Sequence, residues 1–516
     1  MDNITILWVD DEIDLLRSQI MFLEEKGYNI KAVTNGQDAI EETNSHSFDI
    51  VFLDESMPGL TGLETLAEIK KKQPNLPVVM ITKNEEENLM DEALGSQIAD
   101  YLIKPVKPNQ ILLSIKKIID NKRLVSERTD SAYQQDFQNL FHAFGSGLDH
   151  QEWVDVYKKL VFWEMELSRS TNSDMLEVFN MQKTEANVEF NKFISKNYIN
   201  WLQNPEEAPL LSHNLLKEKV FPNLSEGMST FIILIDNLRY DQWKTIQPVI
   251  EESFRQSDDD TLYSILPTST QYSRNAIFSG MMPLDMQHEF PNLWKNDADE
   301  GGKNMNEEEF LKNQINRISP GIKYSYTKIT NNQSGRALED NVLNLLHNEL
   351  NVIVYNFVDM LSHARTEMEV LKELAGDEKA YRSITLSWFK HSPLLSALRK
   401  IADKKVRVII TSDHGTIRVR QPIKVIGDKN TTTNLRYKHG KNLNYNPKEV
   451  FEIKDPLQAR LPSPNVSSSY IFAQETDFFV YPNNYNHYVN FFKNTFQHGG
   501  ISLEEMIIPV VTYESK

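Results

Sequence analysis

Apolar runs that stop on acidic or hydroxyl residues mark out the first 120 positions of this chain. Ile4–Val9 ends at Asp10-Asp11, Ile50–Leu53 at Asp54, Val78–Ile81 at Thr82, and Tyr101–Ile103 at Lys104-Pro105. Between the first two runs Leu15, Leu16, Ile20, Met21 and Leu23 recur at helical spacing, and Ile111, Leu112, Ile115, Ile118 and Ile119 do so after Pro108. Strands alternating with helices predict a parallel, doubly wound sheet. From about Leu124 to Phe221 the strand signal fades. Phe137, Leu140, Phe141, Phe144, Trp153, Val154, Tyr157, Leu160 and Val161 keep a helical period, which predicts a bundle. From Thr230 the strand runs return: Phe231–Ile235, Val352–Phe357, Val406–Thr411, Phe478–Tyr481 and Met506–Thr512. The pattern predicts an α/β multidomain protein with domains at 1–120, 121–225 and 226–516. The segments Asn296–Glu309 and Gly427–Asn446 read as surface insertions.

Composition narrows the partners. A chain of 516 residues exceeds one core, and 40% hydrophobic residues are enough to fill several. A net charge of −18 argues against direct DNA binding or an anionic membrane surface, both of which need a positive field. No basic recognition helix stands out. The absence of cysteine excludes disulfides and thiolate metal sites. No signal peptide or bilayer-length apolar run is visible, so the expectation is a cytoplasmic protein without membrane insertion.

The first constellation joins Asp10, Asp11, Asp54, Thr82 and Lys104 at successive strand ends. Carboxylates gathered there suit Mg²⁺, a hard cation that prefers oxygen ligands, and Asp54 is placed to accept a phosphoryl group. The motifs "ILWVDDE", "VFLDESMPGLTGLE", "VVMIT" and "YLIKPV" resemble the receiver domain of two-component response regulators, a flavodoxin-like fold. The resemblance implies Mg²⁺ held by Asp10, Asp11, Asp54 and the carbonyl of Ser56. It also implies Thr82 and Tyr101 as the switch pair, and Lys104 on the phosphoryl group beside a cis bond to Pro105. A sensor histidine kinase would be the partner, with a homodimer forming on phosphorylation.

The second constellation is Asp236, Thr270, Asp359 with His363, Asp413-His414, and His498. Each ends or follows a strand-like run, and in an open α/β sheet such ends gather at one edge. Three carboxylates and three imidazoles can hold two divalent metals, with the Thr270 hydroxyl between them, which is chemistry for phosphate esters. Thr270 also stands where a loop becomes a helix, a favourable place for an anion.

The order Asp, Thr, Asp-x-x-x-His, Asp-His-Gly, His-Gly-Gly resembles the alkaline phosphatase superfamily. "DNLRYDQW", "PTSTQYSRNAIFSG" and "TSDHG" resemble its PglZ branch, an α/β domain with a mixed sheet. That resemblance implies one zinc ion on Asp236, Asp413 and His414, bridged by Thr270, and a second on Asp359, His363 and His498, with manganese as an alternative. Thr270 is the implied nucleophile, ahead of Thr268 and Ser269, because its distance to "FSG" fits the superfamily. Arg274 or Asn275 would bind a phosphate oxygen. The implied reaction is phosphodiester hydrolysis, on small cyclic or linear oligonucleotides. A receiver, a helical middle and a PglZ-type domain together resemble PorX-type response regulators of the type IX secretion system of Bacteroidetes. The alternative is a non-catalytic signalling adaptor that binds a sigma factor or secretion component, with its metals structural.

Overall fold

A computed structural model describes residues 4–516 apart from 75, 83–97, 145–146, 170–172, 226, 298, 362–375, 429–430 and 464–466. The chain forms two compact units, Met1–Ala132 and Tyr133–Lys516.

In the first unit, β1 (Thr5–Val9), β2 (Asn29–Val33), β3 (Ile50–Asp54), β4 (Val78–Thr82) and β5 (Asp100–Ile103) form one sheet in the order β2-β1-β3-β4-β5. Every pairing is parallel, giving the flavodoxin-like doubly wound topology with its switch point between β1 and β3. One core layer on this sheet contains Trp8, Phe52 and Ile81, and the other contains Leu7, Leu53 and Leu66. Helix Gly62–Lys72 begins on a capping box in which Thr61 and Glu64 satisfy each other's backbone N–H groups. A Cβ at Gly62 would lie 2.3 Å from the Asp54 carbonyl oxygen, so only glycine lets this helix start so close to the strand end.

The second unit is built on β6 (Ser229–Ile235), β7 (Phe254–Tyr263), β8 (Tyr324–Ile329), β9 (Leu350–Tyr355) and β10 (Val406–Thr411). Shorter strands follow: β11 (Ile417–Arg418), β12 (Gln421–Lys424), β13 (Tyr437–Lys441), β14 (Val450–Ile453), β15 (Ser468–Ala473), β16 (Asp477–Val480) and β17 (Phe496–Gln497). The last is the long β18 (Ile507–Ser515). The main sheet runs β7-β18-β10-β6-β9-β8. Strands β6, β8, β9 and β10 are parallel, while β18 is antiparallel to both of its neighbours, so the sheet is mixed. β6 and β9 are buried along their whole length, consistent with near-continuous apolar sequences covered on both faces.

The helical middle segment shares the core of this sheet. Trp153 of helix His150–Leu167 packs 5.4 Å from Phe190 of helix Ser173–Gln203, and Phe190 packs 6.3 Å from Tyr263 on β7. Burial of aromatic faces on the sheet binds these helices into the larger unit.

Gly427–Asn446, expected as a surface insertion, contains β13 and the fully buried Arg436. The Arg436 guanidinium meets Glu505 through two contacts and donates to the Gln474 and Ile501 carbonyls, which offsets the cost of burying its charge. Among the described residues, no helix is long and apolar enough to cross a membrane.

Candidate active site and phosphoacceptor site

Asp236 and Asp413 stand at the ends of the parallel neighbours β6 and β10, whose register pairs Leu234 with Thr411. The two loops are tied directly. Asn237, at φ 65°, turns its N–H onto Asp413 Oδ1 at 3.2 Å, and the Leu238 N–H donates to Ser412 Oγ at 2.9 Å. Ligand atoms of Asp236, Asp413 and His414 all lie within 4.8 Å of one another, and all three residues are buried.

His414 Nδ1 lies 3.1 Å from the Gly415 carbonyl oxygen. Because a carbonyl can only accept, Nδ1 carries the proton and Nε2 presents its lone pair. That Nε2 is 3.1 Å from Thr270 Oγ1, which is itself 3.5 Å from Asp236 Oδ1. The same argument applies to His498, whose Nδ1 is 3.2 Å from the Thr268 carbonyl oxygen. Its Nε2 is 4.0 Å from Asp359 Oδ1, and its ring stacks on that of His414 at 4.3 Å. Six of the seven expected residues thus meet at one sheet edge. His363 lies outside the described residues.

The charges are frustrated. Burial pushes the Asp236 carboxyl up to about 6, with Arg274 opposing and Asp413 adding to the rise. Asp413 is raised by burial, and Asp359 is raised well above the carboxylate range by burial and then by Asp236 and Asp413. Burial lowers the His414 imidazole to about 4. Asp413 Oδ2 is buried and accepts no hydrogen bond. Crowded carboxylates, an imidazole lone pair and an orphaned carboxylate oxygen form a donor set that fits a divalent cation such as zinc.

The hydroxyl choice is clear locally. Thr268 Oγ1 is committed, donating to the Gly500 carbonyl and accepting from the Gly499 N–H. Ser269 is the N-cap of helix Thr270–Ser279 and is only 5% exposed. Of the three side-chain hydroxyls, that of Thr270 is the one bonded to Asp236 and His414.

Arg274 and Asn275 differ from their expected role as phosphate contacts. Arg274 is 1% exposed, with Nη1 2.6 Å from Asp236 Oδ2 and Nε donating to Glu307 at 2.6 Å. Asn275 is also 1% exposed and donates to the Gln271 and Lys303 carbonyls. One turn beyond Thr270 the helix faces the core, so both side chains brace the site from behind. Glu307 had no motif to reveal it. Its surroundings, an acidic and Asn-rich stretch, read as solvated surface.

In the first unit, ligand atoms of Asp10, Asp11 and Asp54 lie within 4.8 Å of one another. Lys104 Nζ is 2.9 Å from both Asp10 Oδ2 and Asp54 Oδ2. Asp54 is 1% exposed, and burial raises its carboxyl, with Lys104 opposing and Asp10 and Asp11 adding to the rise. Oxygen donors around a buried, like-charged pocket fit Mg²⁺. Thr82 is buried at the end of β4, Tyr101 is half-buried on β5, and the Lys104-Pro105 peptide is cis. Ser56 is exposed in the loop just after β3.

Comparison with known proteins matches three stretches of the chain. Residues 6–116 match the response regulator receiver domain, and residues 123–202 match the PorX response regulator linker domain. Residues 215–513 match the BREX system PglZ alkaline phosphatase-like domain. The transcriptional regulatory protein ZraR of Escherichia coli O157:H7 is 32% identical over 136 residues, covering 26% of this chain and 31% of that protein. ResD of Bacillus subtilis (strain 168), another transcriptional regulatory protein, is 33% identical over 114 residues, 22% of this chain and 47% of that protein. The chain therefore spans 31% and 47% of the lengths of these two curated relatives. Among solved structures, a response regulator receiver domain protein from Clostridium thermocellum is 30% identical, with a TM-score of 0.22, covering 23% of this chain and 98% of that one. With more than half its length in the PglZ match and the receiver and linker matches ahead of it, the chain belongs to the PglZ alkaline phosphatase-like family and has the PorX-type response regulator architecture.

Proposed function

We propose that the second unit is a two-metal phosphohydrolase whose activity is governed by phosphorylation of Asp54. The observation that carries the reading is the Thr270 hydroxyl, held between Asp236 Oδ1 and His414 Nε2 at the edge where Asp413, Asp359 and His498 also gather.

Asp236, Asp413 and His414 would hold one zinc or manganese ion, and Asp359 and His498 with His363 the second. Bound there, the ions would lower the pKa of the Thr270 hydroxyl and neutralise charge on the phosphoryl oxygens. The chain supplies the rest. Thr270 Oγ gives up its proton to solvent and attacks phosphorus in line. Its bond to phosphorus forms as the bond to the ester oxygen breaks, and that oxygen takes a proton from water and leaves as an alcohol. A second water then cleaves the Thr270–phosphate bond, releasing the phosphomonoester and restoring the hydroxyl. The N-terminus of helix Thr270–Ser279 favours the anion with its amide dipoles. Arg274 holds Asp236 in place. The substrate class we favour is a phosphodiester, in small cyclic or linear oligonucleotides.

The Lys104, Asp10, Asp11 and Asp54 cluster supports control by a sensor histidine kinase, with Mg²⁺ held on the carboxylates and dimerisation on phosphorylation. Helix Pro108–Phe144 leads out of the receiver sequence, and its final turns bond the middle helices. Tyr133 donates to Gln182 at 2.9 Å, and Trp163 donates to Asp136 at 3.2 Å. The chain would thus regulate type IX secretion from the cytoplasm through an enzymatic output.

The test is zinc content together with turnover of a chromogenic bis-aryl phosphate. Thr270→Val should retain metal yet lose hydrolysis by at least about a hundredfold. Metal-loaded Thr270→Val with wild-type turnover would refute catalysis by this site.

A further inference from the structure

A buried charge network joins the middle helices to the loops of the candidate site. Lys183 Nζ, on helix Ser173–Gln203, is 2.7 Å from Glu164 Oε2 and 2.9 Å from Glu504 Oε1. Arg382 Nη1 bridges Glu164 Oε1 at 2.7 Å and Asp241 Oδ2 at 3.0 Å. Arg239 grips both oxygens of Asp241, at 2.8 and 2.5 Å. Asn187 donates to Glu504 Oε2 at 3.2 Å and accepts from the Leu503 N–H at 2.9 Å. Three acids balance three bases. Lys183 has the most exposed side chain of the six, at 18%.

Three site segments end on this network. Arg239 and Asp241, the N-cap and second residue of helix Tyr240–Glu251, follow directly on the turn at Asp236. The Glu504 backbone lies against the Asp-His-Gly loop: a Cβ at Gly415 would be 2.0 Å from its carbonyl oxygen, and the Gly415 N–H donates to the Glu505 carbonyl at 3.2 Å. The Arg239 guanidinium also sits 5.0 Å from the ring of Phe496, two residues before His498.

Five buried charges and a largely covered sixth, Lys183, are a poor way to gain stability, since apolar residues of the same volume are often as good or better. The helices already hold to the sheet through Trp153, Phe190 and Tyr263. What charge adds is direction: each paired atom has one place where it is satisfied. We infer that helices His150–Leu167 and Ser173–Gln203 are a positioning clamp for the candidate metal site, with Lys183 and Glu164 as its positioning residues. The inference rests on the reading that Asp236, Asp413 and His414 bind a divalent metal. A cavity of about 50 Å³ beside Lys183, lined also by Arg239, Glu378, Arg418 and Glu504, leaves room for substitutions there.

The experiment uses the full chain without substrate. Lys183→Met keeps the methylene stem and removes the charge, while Lys183→Arg keeps it. Zinc affinity is measured by competition with a chromogenic chelator, and amide exchange of residues 236–241 and 413–415 is followed in metal-free protein. Lys183→Met should weaken zinc binding about 10- to 100-fold. It should also speed exchange in those two loops about tenfold, with Lys183→Arg close to wild type. Wild-type zinc affinity and loop exchange in Lys183→Met would overturn the clamp. Should Lys183→Met fail to fold, Glu164→Gln takes its place with the same expectations and the same overturning result. The outcome is separable from catalysis. Normal zinc binding in Lys183→Met with hydrolysis lost in Thr270→Val removes only the clamp, and the reverse pair of results removes only the catalytic reading.

Discussion

Thr270 Oγ1 and His414 Nε2 stand 3.1 Å apart, although 144 positions separate them in the chain. The imidazole can face the hydroxyl only because its other nitrogen is committed to the Gly415 carbonyl. The hydroxyl's position, more than its extra methyl, is what this contact secures. Thr270→Ser is expected to keep hydrolysis within about tenfold of wild type, whereas Thr270→Val loses at least about a hundredfold. Steady-state kinetics on zinc-loaded protein decide it, and equal losses in both variants would show that side-chain shape matters more than the nucleophile.

The crowded carboxylates give the metal-free protein a particular pH response. A carboxyl raised in the folded state holds its proton more tightly there, so it costs stability as pH climbs from roughly 4 to its folded value. Asp236, raised to about 6, acts this way, as do Asp413 and Asp359. His414, lowered to about 4, acts in the opposite sense, because below roughly 6.5 the unfolded imidazole takes up a proton that the folded one refuses. Three carboxylates outweigh one imidazole. Bound zinc removes the penalty, since ligands must be deprotonated to bind. The gap in Tm between zinc-loaded and chelator-treated protein should therefore widen from about pH 5 to about pH 7. A constant or narrowing gap in thermal scans would contradict the assignment of these groups.

Strand-end chemistry was legible in the sequence because a buried strand leaves an apolar run, and its terminal polar residue then stands out. Asp54, Asp236 and Asp413 stand out in this way. Helix faces were less legible. Spacing put Arg274 one turn from Thr270 but could not say that this turn faces Glu307 and the core. Polarity misled at Arg436, where a basic stretch is buried because Glu505 lies opposite. The clamp was invisible: Asp241 stands in "DNLRYDQW", but Glu164, Lys183, Arg382 and Glu504 belong to no motif that points to it, and all five meet only in the folded chain.

The burial of Arg274 makes its variants diagnostic of bracing. Arg274→Ala leaves buried Asp236 without its cation and Glu307 with Lys328 alone, and should cost about 3–5 kcal/mol of stability. Urea unfolding of the metal-free protein measures it. A variant with wild-type stability but a raised KM would return Arg274 to the role of substrate contact.

Asp54→Asn should raise the thermal stability of the metal-free protein, because it removes one charge from a buried acidic cluster in which Asp10 and Asp11 oppose it. The same variant should lose the stabilisation that Mg²⁺ gives wild type, and should take up no phosphoryl group from a small phosphodonor. Scanning calorimetry with and without Mg²⁺, alongside phosphate-affinity electrophoresis, tests both parts. An Asp54→Asn protein that still gains stability with Mg²⁺ would move the cation site elsewhere.

Strand β18 lies between β7 and β10, and β10 carries Asp413 at its end. During synthesis the five strands of the receiver sheet, all within residues 5–103, emerge together and can fold while the ribosome is still far upstream of residue 507. The output sheet has no such independence, because its β10–β18 and β7–β18 ladders wait for residues 507–515. A nascent chain therefore completes its receiver sheet before the output sheet can close. Under the proposed control by Asp54, a message cut short anywhere within residues 230–506 would yield a receiver able to draw on the kinase while delivering no response.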